Sequence, residues 1–159
     1  MKKIILAIIA GIIPLVLPAA STDFWFRHFS VEDGLSSNSV RAIMQDKYGF
    51  MWLGTDDGLN RYDGTTIKVY NLNPQGSNDY ISSLYDTTDN IWVGTEGGVY
   101  IFDYETESFE LFKVLTAQGD SIKSNVNHIA EDRDGNLWFS TVGQGIFKYN
   151  ISKHYLEHY

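Results

Sequence analysis

The chain has 159 residues, of which 43% are hydrophobic and 20% charged, a composition that supports a packed core and argues against global disorder. Its formal net charge of −8 argues against binding to nucleic acid or to anionic lipid headgroups. The absence of cysteine excludes disulfides and a lipid-anchoring cysteine. Aromatic residues reach 14% beside 14 glycines, which favours many short strands and tight turns.

Residues 1–21 show the three-part pattern of a secretory signal peptide. A basic start is followed by an apolar run over residues 4–17 and by small residues at 18–21. The run is short for a membrane span, which needs about 20 residues, so we expect cleavage rather than retention as an anchor. The mature chain, residues 22–159, would then carry ten basic and twenty acidic residues, a net charge of −10.

The first element after the leader is a predicted outer-type strand at residues 24–29. Its core, Phe-Arg-His-Phe at 26–29, follows the order apolar, charged, variable, aromatic. The same order recurs at residues 67–70, 109–112 and 156–159, each time after a longer repeated unit. Because such a strand normally ends a unit, its position ahead of the first unit is unusual.

Three segments, residues 45–63, 85–103 and 131–150, align on a tryptophan. The tryptophans lie 40 and 46 residues apart, and each has Asp six positions before it and Thr three positions after it. The third copy has Ser140 in place of a glycine and one extra residue before the next strand. The recurring positions are Trp52, Gly54, Thr55 and Gly58, then Trp92, Gly94, Thr95 and Gly98, then Trp138, Thr141 and Gly145.

Each copy predicts four short antiparallel strands. A first strand leads into an Asp-containing turn, typical of side-chain-to-backbone bonding and of positive φ at glycine. The tryptophan strand is apolar on both faces, which indicates burial on both sides. A glycine-containing turn then leads to the third strand, and the outer strand comes last. The first three strands are predicted at 40–44, 51–53 and 59–62, at 80–85, 91–93 and 99–102, and at 126–130, 137–139 and 146–149.

Four short strands per repeat of about 40 to 45 residues is the period of a β-propeller blade. We therefore predict an all-β fold, an incomplete β-propeller with blades at about residues 38–72, 79–114 and 124–159. Because propellers close with about four to eight blades, this chain is predicted to be the amino-terminal piece of a longer protein. The strand at 24–29 would complete the blade that closes the ring, as a clasp.

The first copy resembles the two-component regulator propeller repeat. The resemblance is carried by GLSSNSV at 34–40, Gln-Asp at 45–46, Trp-Leu-Gly-Thr at 52–55 and Gly-Leu-Asn-Arg-Tyr-Asp at 58–63. It extends over residues 24–159, although the second copy departs at Asp89 and lacks the Gly-Leu-Ser opening, and the third copy departs at Ser140 and Gln144.

The resemblance implies the periplasmic sensor region of a hybrid two-component histidine kinase anchored in the inner membrane. It implies further blades and sensor domains as intramolecular partners, an oligosaccharide ligand and a homodimeric receptor. The kinase, receiver and DNA-binding parts would lie outside these residues, so it implies no catalysis by this segment.

Acidic residues in the turns after the tryptophan strands are the candidate ligand-binding residues. Asp56, Asp57 and Glu96 would lie at one end of the propeller, where Asn60 and Arg61 could join them in binding sugar hydroxyls. A solvated turn is the simpler explanation of these acids. A secreted propeller enzyme acting on polysaccharide and a protein-interaction scaffold therefore remain alternative functions.

No catalytic residue, metal site or cofactor is predicted. Residues 154–158, HYLEH, match the H-x-x-E-H pattern of zinc peptidases, which places its ligands on a helix. The repeat instead puts this stretch in an outer strand, where Glu157 faces away from both histidines. The acidic turn at 132–136 resembles a calcium loop, but the twelfth position is Gly143 rather than Glu.

Overall fold

A computed structural model describes residues 25–72 and 80–159 of the chain, so the predicted leader lies outside the described residues. Over these residues twelve strands form three antiparallel sheets of four, each in chain order, and the predicted all-β blade architecture is confirmed. A short 3-10 helix, Val31–Asp33, precedes the first sheet. Blade 1 contains β1 (Val40–Gln45), β2 (Met51–Thr55), β3 (Gly58–Tyr62) and β4 (Ile67–Tyr70); blade 2 contains β5 (Ile81–Asp86), β6 (Asn90–Thr95), β7 (Gly98–Asp103) and β8 (Ser108–Leu111); blade 3 contains β9 (Val126–Glu131), β10 (Asn136–Thr141), β11 (Ile146–Asn150) and β12 (Tyr155–His158).

The antiparallel order gives every blade two distinct ends. The turns between the first and second strands and between the third and fourth strands share one end, here called the turn end. The turns between the second and third strands share the opposite end with the links between blades, and this is called the connection end. The turn end includes residues 46–50, 87–89 and 132–135, and the connection end includes residues 56–57, 96–97 and 142–145.

Tryptophans of the second strands fill the two interfaces between blades. Trp52 is fully buried, and its ring centroid lies 5.0 Å from that of Phe102 in blade 2. Trp92 is 4% exposed, and its ring lies 5.7 Å from that of Tyr149 in blade 3. Burying a tryptophan removes about 150–250 Å² from water, worth about 4–6 kcal/mol as an upper bound. Contact between blades is therefore the main source of stability.

Glycine after each of the first two tryptophans lets the next blade approach closely. A Cβ built at Gly54 would lie 2.5 Å from Cγ2 of Ile81, the first residue of blade 2. A Cβ built at Gly94 would lie 2.9 Å from the carbonyl oxygen of Val126, the first residue of blade 3. Since both distances are below van der Waals contact, the repeated glycine is a packing requirement. Ser140 occupies the equivalent position on the outer face of blade 3.

The outer face of blade 3 carries the same tryptophan arrangement that faces the next blade in blade 1. Trp138 is only partly buried, stacks on Tyr159 at 5.8 Å and lies beneath the Lys148 ammonium at 5.3 Å. The same trio occurs in blade 1, where Trp52 stacks on Tyr70 at 5.5 Å and Arg61 lies 5.7 Å from the Trp52 ring. In blade 1 the next blade covers this trio, and in blade 3 it is uncovered in the described chain.

The segment ahead of blade 1 packs against the opposite outer face. The outer strand predicted at 24–29 is not formed over its described part, since residues 25–30 form no strand and Trp25 is 93% exposed. The ring of Phe29 nevertheless lies 4.7 Å from that of Tyr62, and Arg27 donates a hydrogen bond of 3.1 Å to the Tyr62 hydroxyl. This segment is therefore held at the third strand of blade 1.

The contact between Phe29 and Tyr62 repeats a contact made at both blade interfaces. An aromatic residue at the end of an outer strand, or directly after it, contacts the third strand of the following blade. The ring centroids of Tyr70 and Phe102 are 5.8 Å apart, and those of Phe112 and Tyr149 are 4.9 Å apart. Tyr62, Phe102 and Tyr149 hold the same register position. Phe29 thus lies where the outer strand of a preceding blade would place it, which supports the predicted clasp; the clasp itself stays a prediction.

The close approach at Gly94 predicts a selective effect of a single methyl group. Gly94→Ala should destabilise the chain by about 1–3 kcal/mol, because the added Cβ would lie 2.1 Å from Oγ of Ser83 in the same blade and 2.9 Å from the carbonyl oxygen of Val126 in blade 3. Gly97→Ala is the matched control, since a Cβ there would meet nothing within 4 Å. Urea unfolding followed by tryptophan fluorescence measures both, and equal midpoints for the two variants would contradict the packing requirement.

The uncovered faces of blades 1 and 3 predict self-association of the isolated mature chain. An exposed apolar face associates to remove its surface from water. Sedimentation velocity should therefore show weight-average mass rising with protein concentration, and the melting temperature should rise with it. A monomer at all concentrations with one cooperative melting transition would show this expectation to be wrong.

Candidate functional site

A hydrogen bond from indole to carboxylate explains the fixed spacing of six residues between Asp and Trp. Asp46 accepts from Nε1 of Trp52 at 2.7 Å, and Asp132 accepts from Nε1 of Trp138 at 2.9 Å. The other oxygen of Asp46 accepts the backbone N–H groups of Tyr48 and Phe50 and so fixes the turn. The spacing of these pairs is visible in the sequence, but the bond itself was not predicted.

Blade 2 breaks this rule. The buried indole N–H of Trp92 has no hydrogen-bond partner among the described residues. Asp86, six residues earlier, instead accepts the backbone N–H of Lys47 at 3.0 Å and the Tyr104 hydroxyl at 3.1 Å. Thr87 closes the turn of blade 2 by exchanging hydrogen bonds with Asn90. An unsatisfied buried donor costs about 1–3 kcal/mol, so blade 2 gives up local stability for a bond to blade 1.

The altered turn of blade 2 lines one side of a cleft between blades 1 and 2, at the turn end, through Asp89 and Asn90. The cleft, here called the junction cleft, has a volume of about 370 Å³. That volume is within the usual range of ligand sites, about 300–1,000 Å³. Its lining residues are Lys47, Tyr48, Asp89, Asn90, Asp103, Tyr104 and Glu105.

Aromatic rings and one ammonium form the centre of the junction cleft. Tyr48 and Tyr104 meet edge to face with centroids 5.0 Å apart. The Lys47 ammonium lies 5.2 Å from the Tyr48 centroid and 4.9 Å from the Tyr104 centroid, and it donates to the carbonyl of Thr88. Tyr48 is 61% exposed, so its ring is open to solvent. The contacts with Tyr104 and Lys47 hold the ring in place.

Two carboxyl groups, those of Asp86 and Asp46, lie near the buried side of the junction cleft. Burial raises the pKa of Asp86, and the nearby carboxylate of Asp46 raises it further, against the opposing bonds from Lys47 and Tyr104. Burial, followed by the charges of Asp86 and Asp46, also holds the pKa of Tyr104 well above its usual range. Tyr104 is therefore a neutral phenol that donates to Asp86.

The predicted acids lie at the connection end, on the opposite side of the blades. Asp56 forms a two-point ion pair with Arg41, with Nε to Oδ1 at 2.7 Å and Nη2 to Oδ2 at 3.1 Å. Asp57 and Glu96 are exposed, and within the described residues their side chains have no hydrogen bond or ion pair. Asp56 is thus occupied, and two acids are open to a ligand.

Asn60 and Arg61 do not join these acids, which corrects the expected grouping. Asn60 is fully buried; its amide donates to Ser36 and to the carbonyl of Leu53, and its side-chain oxygen accepts the N–H of Ser36. Arg61 lies at the interface of blades 1 and 2 and donates to Glu107 at 2.9 Å. Both residues hold the fold together, so the five predicted residues do not form one site.

The histidines of the HYLEH stretch have separate partners. His154 precedes β12 in a turn, with Nδ1 2.9 Å from the Tyr149 hydroxyl. His158 stacks on Phe147 at 4.3 Å and lies 3.4 Å from Asp120. Within residues 25–72 and 80–159, no group of three or more His, Cys, Asp or Glu side chains could hold a metal ion.

Two segments, residues 34–57 and 121–143, match the family described as the two component regulator propeller. Each of these two segments resembles one repeat of that family. The matched segments contain the tryptophan strands of blades 1 and 3. Blade 2, where Asp86 leaves its tryptophan, lies outside both matches and yet has the same four-stranded fold.

Several known proteins are similar to this chain in sequence or structure. Over 70 residues the chain is 46% identical to histidine kinase P4 of Formosa agariphila, covering 44% of this chain and 5% of the kinase. The extracellular domain of the hybrid two component system BT3049 from B. thetaiotaomicron matches with a TM-score of 0.74 and 32% identity over 84% of this chain and 20% of that one. The extracellular domain of BT4673, a one component system of the same organism, matches with a TM-score of 0.67 and 25% identity over 79% of this chain and 19% of that one.

The chain therefore spans a fifth or less of the length of these relatives. It is similar to the extracellular domain of a hybrid two component system over 84% of its own length. Nowhere in the described residues is a helix long and apolar enough to cross a membrane.

The bond between Asp132 and Trp138 predicts how stability depends on pH. Hydrogen bonds from the indole of Trp138 and the amide of Asn136 hold the pKa of Asp132 well below its ordinary value. A lowered folded-state pKa adds stability above the unfolded pKa of about 3.9, and this stability is lost as the pH falls below that value. Asp132→Asn should therefore flatten the fall of the unfolding midpoint between about pH 4 and pH 2.

Asp134→Asn is the matched control for this prediction, because Asp134 lies in the same turn and no side chain of the described residues bonds its carboxylate. The control should keep the acid dependence of the unmodified chain. Equal pH profiles for Asp132→Asn and the unmodified chain would contradict the role of the indole bond.

Proposed function

We propose that this chain is the amino-terminal propeller segment of the extracytoplasmic sensor region of a hybrid two-component histidine kinase. The observation that supports this most directly is the 32% identity, over 84% of the chain, to the extracellular domain of a hybrid two component system. The two segments that match the propeller family lie in register with the same strands of blades 1 and 3. The proposed ligand of the sensor region is an oligosaccharide.

The geometry of the blades supports a place within a larger ectodomain. The described residues form four-stranded sheets joined by buried aromatic contacts, and the outer faces of blades 1 and 3 can receive further blades. In this proposal, downstream blades and sensor domains of the same protein complete the ectodomain, and the receptor acts as a homodimer. The kinase chemistry lies in those downstream parts.

The proposed location is the periplasm, with the leader at residues 1–21 cleaved and the parent protein anchored in the inner membrane. An extracytoplasmic position agrees with the extracellular domains that this chain resembles. A secreted propeller enzyme and a protein-interaction scaffold would have the same location. They differ from a sensor in the domains downstream of the propeller and in the response to ligand.

The test combines topology with signalling. Alkaline phosphatase fused after Tyr159 should be active in a Gram-negative host, and deletion of residues 1–21 should abolish that activity, because the enzyme folds only outside the cytoplasm. In membrane vesicles with the full-length protein, a glycan digest on the propeller side should change the rate of phosphate incorporation from ATP. A reading frame that ends shortly after the propeller, with no membrane span and no kinase, would overturn the proposal.

A further inference from the structure

The junction cleft between blades 1 and 2 has the features of a binding site that the predicted acids at the connection end lack. We propose that this cleft is a subsite for a neutral oligosaccharide. The ring of Tyr48 stacks on a sugar ring, and the carboxylates of Asp89 and Glu105 accept hydrogen bonds from sugar hydroxyls. This inference deepens the proposed sensing function and depends on it.

The aromatic platform is ordered before any ligand arrives. Tyr48 is 61% exposed, yet its ring is braced by the edge contact with Tyr104 and by the Lys47 ammonium. Tyr104 is itself fixed by its bond to Asp86. A rigid tyrosine offers a large apolar face at low cost in conformational entropy, which suits the apolar C–H face of a pyranose.

Open acceptors flank this platform. Asp89 and Glu105 line the cleft, and in the described part of the chain neither carboxylate has a hydrogen bond or an ion pair. A carboxylate only accepts hydrogen bonds, and sugar hydroxyls are donors that match it. The side chain of Asn90, in the same lining, can both donate and accept.

The cleft lies where the repeat is broken. Gly49 and Gly135 have φ of 90° and 77° in the turns of blades 1 and 3, whereas blade 2 has Asp89 at that position without positive φ. With this altered turn, the indole N–H of Trp92 has no hydrogen-bond partner among the described residues. Asp86 instead accepts a hydrogen bond from the backbone N–H of Lys47 in blade 1. Departures from a local rule that lower stability concentrate at functional sites.

The charge of the cleft selects against anionic sugars. Three carboxylates line the cleft, those of Asp89, Asp103 and Glu105, beside one ammonium, that of Lys47, and three minus one leaves a formal charge of −2. The ammonium is already directed at the Thr88 carbonyl and two rings. Sulfated sugars and uronic acids would be repelled, whereas a neutral sugar has no such penalty.

A second cleft offers the opposite charge and serves as a comparison. It has a volume of about 260 Å³, lies at the connection end of blade 2, and includes Lys113 and Lys123 in its lining. Leu111 and Leu115 make it largely apolar, and the aromatic residue in its lining, Phe112, is buried and offers no open platform. An anionic sugar would be expected there rather than at the junction cleft.

The test is titration calorimetry on the complete extracytoplasmic region. The neutral probes are maltotriose, cellotriose, xylotriose and mannotriose, and the anionic probes are trigalacturonate and a chondroitin sulfate disaccharide. At least one neutral probe should bind. Tyr48→Ala should weaken that binding at least tenfold, Glu105→Gln should weaken it severalfold, and Tyr48→Phe should retain it because the ring remains.

Tyr155→Ala is the matched control, since Tyr155 is an exposed tyrosine on β12 of blade 3 and its loss should leave binding unchanged. Thermal melting of every variant checks folding. If a neutral sugar binds Tyr48→Ala with unchanged affinity, the junction cleft is not its binding site, and the proposed sensing function is unaffected. If only anionic probes bind, and Lys113→Ala or Lys123→Ala abolishes that binding, the second cleft and not the junction cleft is the sugar site. If no probe binds, both the proposed sugar subsite and the proposed oligosaccharide ligand are wrong.

Discussion

The insertion of one tryptophan per blade into the next blade is the interaction on which this structure depends. Trp52 and Trp92 reach across to aromatic residues of the following blade, and the glycine two residues later removes the side chain that would hold the blades apart. The strands themselves are four to six residues long and would be marginal alone. Packing between sheets therefore converts weak local elements into a fold, and each sheet needs a neighbour.

Within that scheme, blades 1 and 3 follow one rule and blade 2 follows another. Where the Asp accepts from its own tryptophan, turn, indole and second strand form a closed unit. In blade 2 the equivalent carboxylate serves the neighbouring blade, and Thr87 takes over the turn. The interface between blades 1 and 2 therefore has polar contacts beside its aromatic core. Among them, Arg61 and Lys68 both form ion pairs with Glu107. The two interfaces are therefore alike in packing and different in chemistry.

Periodicity was sufficient to predict the blades, because strand length, turn residues and the position of the tryptophan all recur at fixed offsets. The grouping of Asn60 and Arg61 with the acids was wrong in geometry, since a residue on the third strand can face the core or a blade interface as easily as solvent. The junction cleft escaped sequence reasoning for a related reason. Lys47, Asp89 and Tyr104 lie in three turns, and only the stacking of two blades brings them together. The one signal in the sequence was Asp89, where the other copies have glycine.

The serine at position 140 restricts what can pack on the outer face of blade 3. On the outer face of blade 3 it fills the space that Gly54 and Gly94 leave free for the first strand of the next blade. A blade that packed there would have to stand further away or bring a smaller residue to this point. Such a partner would therefore differ, at this contact, from the first strands of blades 2 and 3, which place Ile81 and Val126 against a bare glycine.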